Sequence, residues 1–385
     1  MNGVERLFKY RGLNSLGALK SAIVESSPDI VVPCDDGVVF QLHGLYSGYP
    51  GLRNLIEKSL GAPEMYSTIQ SRGALLATAA ELGIRTPVTD TLSSEAYLEK
   101  WRMEDVTVLK ADGTWGGSGV EIAHSHSEAV EAYRHLSRPK GLRVAWKRLF
   151  VNHDALALWF WRNRKEPSVT IQQFIPGHPA NTMFVARDGE VLASVTVEAV
   201  ASQGATGAAT VARLIRNPEI SQAARLLARK LRLNGFHGID FVIEHETGAA
   251  YLIEMNPRTT QLGHLRLPGQ GDLAGVFTAA LTGNCICPPP ASDCITADTI
   301  AFFPQAFSWN PRSPYLRHGY HDVPWEEPAL VRELLQQPWP YRQPIARVYH
   351  YLRPLKKEYE LHFGPSSQLE PEQDLASEGA LVERR

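Results

Sequence analysis

The stretch Tyr251-Leu252-Ile253-Glu254-Met255-Asn256-Pro257-Arg258 decides how this sequence is read. It begins as an apolar strand and ends in a carboxylate, an amide and a guanidinium. Pro257 stops the ladder, because proline has no N–H to donate. Side chains alternate along a strand, so Glu254 and Asn256, two apart, leave the same face. Upstream, Gly238-Ile239-Asp240-Phe241 falls in a strand expected over residues 236–244. The turn Glu246-Thr247-Gly248 returns that strand as a hairpin partner for residues 249–254. Two carboxylates and an amide oxygen form a hard donor set of the kind magnesium shares with nucleotide phosphates. Arg258 carries the planar fork that clamps a carboxylate or a phosphate. The plain alternative is a strand end carrying solvated ions.

A second constellation lies earlier. A β-branched strand over residues 106–110 ends at Lys110, and Ala111-Asp112-Gly113-Thr114-Trp115-Gly116-Gly117-Ser118-Gly119 follows. Glycines let the backbone approach an anion and aim N–H groups at it, and the lysine adds a mobile charge. No Lys-Ser or Lys-Thr follows the glycines, so this is not a Walker loop, and it is not a dinucleotide fingerprint. By itself it reads equally well as a flexible loop beside a surface lysine.

Taken in order, the lysine-ended strand, the glycine loop, Gln172-Gln173-Phe174-Ile175-Pro176-Gly177, the Gly-x-Asp-Phe strand and the Glu-x-Asn-Pro-Arg run resemble the ATP-grasp superfamily, over about residues 66–285. The resemblance implies an α/β (α+β) chain whose two lobes carry antiparallel sheets with the nucleotide between them. It implies ATP and Mg2+, and small-molecule carboxylate and amine substrates joined through an acyl-phosphate. Residue by residue, it implies that Lys110 and Arg72 meet the nucleotide and that Gly116, Gly117, Ser118 and Gly119 cover its phosphates. Gln173, Phe174 and Ile175 would read the adenine. Asp240, Glu254 and Asn256 would hold magnesium. Arg258 and Arg213 would act on the transferred phosphate or the substrate carboxylate. Arg72 stands where the superfamily often has a lysine. His178-Pro179-Ala180-Asn181 stands where a ribose-binding glutamate is common, with Asn181 as the candidate substitute. A non-catalytic ATP-binding module and an ATP-grasp phosphotransferase or carboxylase stay open as alternatives.

Around this unit the chain divides unevenly. Residues 1–65 read as a partial α/β lobe of parallel type. It has helices over residues 15–27 and 38–46 and a brief strand over residues 29–33, and it reads as an N-terminally short version of the superfamily's leading domain. Residues 66–290 form the ATP-grasp domain, with a small lobe of about 104–175 and a large lobe of about 176–290. Helices are expected over residues 67–82, 93–101, 127–136 and 217–233. The last has Asn217 as N-cap and Pro218 in its first turn, and Asp188-Gly189 signals a hairpin. Fourteen of the 26 prolines lie from Pro288 onward. Residues 291–385 are therefore expected to lack long regular elements, to end in a disordered tail, and to cover the lobes, close the acceptor site or make a homodimer contact.

Composition bounds the rest. The 385 residues carry 39 Lys and Arg against 41 Asp and Glu, a formal net charge of −2. That balance gives no basic field for nucleic acid or an anionic membrane. Four cysteines are too few for a disulfide scaffold, and with no signal-like start the reading is cytoplasmic. No apolar run reaches the ~18 residues that span a bilayer. His237 and His264 beside the site read as packed or hydrogen-bonded side chains rather than bases, and the Cys285, Cys287 and Cys294 group lacks the partners of a zinc site.

Overall fold

The structure, a computed structural model, describes residues 4–10, 14–101, 106–113, 119–138, 141–151, 161, 168–204, 207–284, 290, 294–337, 339–352 and 360–362. It is a mixed α/β chain built on two sheets. The smaller comprises β1 (Thr89–Leu92), β2 (Thr107–Ala111), β3 (Val120–Ala123) and β4 (Val169–Gln173), in the order β1-β4-β2-β3 and antiparallel throughout. Alternation divides β2 cleanly. Leu109 and Ala111 pack under the helix His126–Leu136, with Ala129, Ala132 and Ile171. Val108 and Lys110 leave the opposite face. The sheet takes in β1, ahead of the expected lobe start near 104.

The larger sheet comprises β5 (Gly177–Arg187), β6 (Glu190–Gln203), β7 (Ala209–Leu214), β8 (Gly235–Glu244), β9 (Ala250–Asn256), β10 (Thr299–Phe302) and β11 (Tyr320–Asp322), in the order β11-β10-β7-β6-β5-β8-β9. An eighth strand, β12 (Glu360–His362), lies beside β6. The β5–β6 turn uses Asp188 and Gly189 at φ 51° and 80°, the left-handed pair that a two-residue hairpin requires. One face is covered by the helix Pro218–Leu231. Asn217 caps it by accepting the Ile220 N–H at 3.2 Å, and its apolar stripe, including Ile220, Leu227 and Leu231, meets Phe184, Ile239, Phe241 and Leu252. Strand alternation turns Asn181 and Asp240 to the other face, and a bulge in β9 between Leu252 and Glu254 brings Glu254 there too, so that the register sets Asn181 opposite Asp240 and Asp240 opposite Glu254.

Three expectations change. The strand over residues 29–33 forms no ladder, and no strand occurs among the described residues of 1–65, so the parallel lobe expected there is a helical one. The helices Ser15–Ser26, Asp36–Gly48 and Arg53–Leu60 bury their own core of Ile23, Val39, Leu42, Leu45 and Ile56. Residues 29–33 pair with no strand among the described residues. Their polar groups pair elsewhere: the Val31 N–H donates to Ser59 Oγ at 3.0 Å, and the Pro33 carbonyl accepts the Thr259 N–H at 3.1 Å. The helix expected over residues 67–82 breaks at Ser71, which caps a second helix, Arg72–Glu81. The third change is that the helix expected over residues 93–101 is a short 3-10 segment, Glu95–Lys100.

The proline-rich segment keeps its elements short, as expected, yet β10, β11 and β12 join the larger sheet, which therefore runs past the expected boundary at 290. The tail from 363 lies outside the described residues, as do Cys285 and Cys287.

Candidate functional site

A cavity of about 560 Å3 opens between the two sheets, with the helix Asp36–Gly48 at one end. Its apolar walls come from Val108 and Ile122 on the smaller sheet and from Ala180, Val197 and Val242 on the larger. Its charges are Lys110, Arg72 and Arg258 against Asp36, Asp112, Asp240 and Glu254. Among the described residues, negative side chains therefore outnumber positive ones.

Lys110 projects from β2 and is 5% exposed. Burial and the neighbouring Arg72 push its pKa down to about 8, against the pull of Glu254 and Asp240. Arg72 sits in the first turn of the helix that Ser71 caps. Its guanidinium bridges Asp112 Oδ1 at 3.2 Å and Glu254 Oε1 at 3.1 Å, which ties the smaller sheet to the larger. Its Nε is buried without a partner.

Asp240 is held on both sides. It accepts hydrogen bonds from Asn181 Nδ2 and, at 2.8 Å, from Asn256 Nδ2. Burial and, next, the charge of Glu254 raise its pKa to about 6 despite those donors. Arg258 completes the row. Its Nε donates to Asp36 Oδ2 at 2.8 Å and its terminal nitrogen to Asn256 Oδ1 at 3.2 Å. Burial raises the Asp36 pKa, and Arg258 opposes the rise.

At the other end, Gln173, Phe174 and Ile175 line the cavity at the close of β4, where the Gln173 N–H donates to the Val88 carbonyl at 2.8 Å. Gly119 also lines it, whereas Gly116, Gly117 and Ser118 lie outside the described residues. Arg213 is not among the lining residues. It sits 2.8 Å from Glu198, which also takes His178 at 2.9 Å. His237 is fully buried, donates to the Asn234 carbonyl at 2.8 Å and has its pKa pushed down to about 4, so it stays neutral. His264 pairs with Asp322 at 2.7 Å. Both histidines fit the packed or hydrogen-bonded reading.

The site includes residues that the motifs did not mark as functional. Asp112 was visible within the glycine-loop run, but its partner Arg72 is 40 residues away, and pattern alone gives no link between them. Asp36 carried a signal only as the acid after a turn.

The donor chemistry fits a divalent cation. No group of three or more His, Cys, Asp or Glu side chains arranged for a metal occurs among the described residues, because the set here is two carboxylates with amides. Within that set, Asn181 Oδ1 is buried with no hydrogen-bond partner, beside a carboxylate that its neighbour Glu254 disfavours. A cation among these oxygens would relieve both costs. Asp240, Glu254 and Asn256 are the residues that would hold it.

Residues 153–261 match the family model of the ATP-grasp domain. No curated protein matches the chain in a sequence search. N5-carboxyaminoimidazole ribonucleotide synthetase from Thermus thermophilus superposes with a TM-score of 0.50 at 16% identity, over 72% of this chain and 67% of that one. L-amino acid ligase from Bacillus licheniformis gives 0.44 at 16%, over 64% and 55%. The biotin carboxylase domain of Hydrogenobacter thermophilus 2-oxoglutarate carboxylase, in a complex with MgADP, gives 0.46 at 15%, over 65% and 54%. The chain spans about half the length of the biotin carboxylase chains it resembles, 54% and 52%. This chain thus carries a segment, residues 153–261, that matches the ATP-grasp domain. Its structural neighbours are ligases and carboxylases. No helix among its described residues is long and apolar enough to cross a membrane.

Proposed function

We propose that this protein is an ATP-dependent ligase that activates a carboxylate as an acyl-phosphate and joins it to an amine. The observation that carries the reading is the row Asn181, Asp240, Glu254 across three adjacent strands, with Arg72 bonded to Glu254 and Lys110 lining the same cavity. Phosphoryl transfer needs charge neutralisation and positioning more than covalent help from the protein, and this row with its facing cations supplies both.

In this reading the adenine lies against Gln173, Phe174 and Ile175. Lys110, Arg72 and the glycine loop meet the phosphates. Asp240, Glu254 and Asn256 would hold a magnesium ion, which when bound would supply neutralisation of phosphate charge. A substrate carboxylate oxygen attacks the γ-phosphorus, the bond to the β,γ-bridging oxygen breaks, and ADP leaves. The amine nitrogen then attacks the acyl carbon. The acyl C–O bond breaks, inorganic phosphate departs, and the amine gives up a proton. Arg258 holds the carboxylate and then the acyl-phosphate. Arg213, paired with Glu198, enters this scheme only if it leaves that partner. The reaction takes place in the cytoplasm and involves no nucleic acid or membrane.

The test is ADP release from MgATP across pooled carboxylic acids and amines, with hydroxylamine present in a parallel set. The ligase reading predicts ADP release that depends on both a carboxylate and an amine, with hydroxylamine replacing the amine to give a hydroxamate. ADP release with a carboxylate but no hydroxamate contradicts it and points to phosphotransfer without an activated acyl group.

A further inference from the structure

Resting on the ligase reading, we infer that the cavity end formed by the helix Asp36–Gly48 takes an α-amino acid with an apolar side chain as the carboxylate substrate, and that Asp36 reads its ammonium group. Asp36, Val39 and Phe40 all line the cavity, and their i, i+3, i+4 spacing puts them on one helix face. The helix is set in place from behind. The Pro33 carbonyl, three residues before Asp36, accepts the Thr259 N–H, so the helix start is tied to the loop that follows Arg258.

The charge pair at this end offers a zwitterion one partner for each of its two charges. Arg258 Nε and Asp36 Oδ2 are 2.8 Å apart, with each side chain 21% exposed. An α-amino acid carries its ammonium and carboxylate on one carbon, so its opposite charges lie about as far apart as one hydrogen bond. Its carboxylate takes the guanidinium fork and its ammonium takes Asp36, exchanging one half-buried ion pair for two. A simple carboxylic acid satisfies Arg258 and leaves Asp36 half-buried with no counter-charge. A simple amine does the reverse. Leaving one charge unpaired is the cost that discriminates. The orientation also suits the chemistry, because Arg258 donates to Asn256, and the carboxylate it holds thus lies beside the row that meets the γ-phosphate.

The remaining walls set the side chain. Val39 is 2% exposed and Leu262 1%, and Ile69 adds a third apolar surface. A charged side chain placed there would lose its hydration without a partner.

The experiment is calorimetric titration of the full chain, with and without MgADP. The probes are L-leucine and L-phenylalanine and their amine-free analogues, 4-methylpentanoate and 3-phenylpropionate. The amino acids are expected to bind at least about tenfold more tightly than the analogues. In Asp36→Asn that preference should fall to about threefold or less, with MgADP affinity unchanged. Val39→Phe, checked by circular dichroism, should lose L-phenylalanine and keep L-alanine. Equal binding of acid and amino acid, or an unchanged preference in Asp36→Asn, overturns the assignment. So does failure of both amino acids to bind while MgADP binds. Amino acid binding by a chain that binds no MgADP would instead sink the ligase reading and leave the amino acid site standing.

Discussion

At the residue scale, the site places charged groups where burial makes their charge costly. Lys110 shows this most plainly, because burial and Arg72 hold its pKa near 8. Phosphates beside it favour the charged form, so nucleotide binding raises that pKa again. Below pH 8 the lysine is already protonated and binding takes up no proton from it. Above pH 8 the free protein has lost the proton and must regain it. MgATP affinity is therefore expected to be flat below about pH 8 and to weaken above it, by up to about tenfold per unit, with proton uptake visible in buffers of different ionisation enthalpy. Lys110→Met should remove both the slope and the uptake. An affinity that stays flat from about pH 7 to about pH 9.5 would contradict this role. The alternation rule brought Glu254, Asn256 and Asp240 together from sequence, because neighbouring strands joined by a hairpin fix which side chains share a face. It had no purchase on Arg72 with Glu254, 182 residues apart, or on Arg258 with Asp36, 222 apart. Those contacts exist only once the lobes have docked.

At the element scale, local signals succeeded where the chain itself determines the outcome. The Asn217 cap, the Pro218 start and the Asp188-Gly189 turn act over a few residues, and each stands where its pattern put it. The apolar segment 29–33 failed as a strand because a strand needs a neighbour, and none lies beside it. The short strands β10 and β11, three or four residues each between prolines, carry too little alternation to be read. They exist because β7 offers an edge. One tight junction joins the N-terminal helices to the larger sheet. Gly235 opens β8 at φ 79°, and a Cβ there would lie 2.2 Å from the Ser59 carbonyl oxygen. Gly235→Ala should therefore cost more than about 1 kcal/mol, since both the backbone angle and the contact oppose it. Chemical denaturation measures this directly, and a loss below about 0.5 kcal/mol would show that the junction yields.

At the scale of the whole molecule, two sheets face one cavity, and most of its charges belong to partners on different elements. A near-neutral chain fits this arrangement, since the three cleft cations sit among four carboxylates and no basic field surrounds them. Arg72 bridges the sheets through Asp112 and Glu254, and Arg258 joins the larger sheet's row to the N-terminal helices through Asp36. The cavity is therefore lined by all three parts at once. Binding that engages all three should also stabilise the folded chain, with the logarithm of the ligand excess over Kd. The most direct test of the central claim, that this cavity holds a magnesium nucleotide, is calorimetry of ATP with and without Mg2+ on the wild type and on Glu254→Gln. The account predicts Mg2+-dependent binding at one site by the wild type. In the variant it predicts an intact fold and a Mg2+-dependent gain at least about tenfold smaller. No ATP binding by the wild type in the presence of Mg2+, or an undiminished Mg2+ effect in Glu254→Gln, would contradict it.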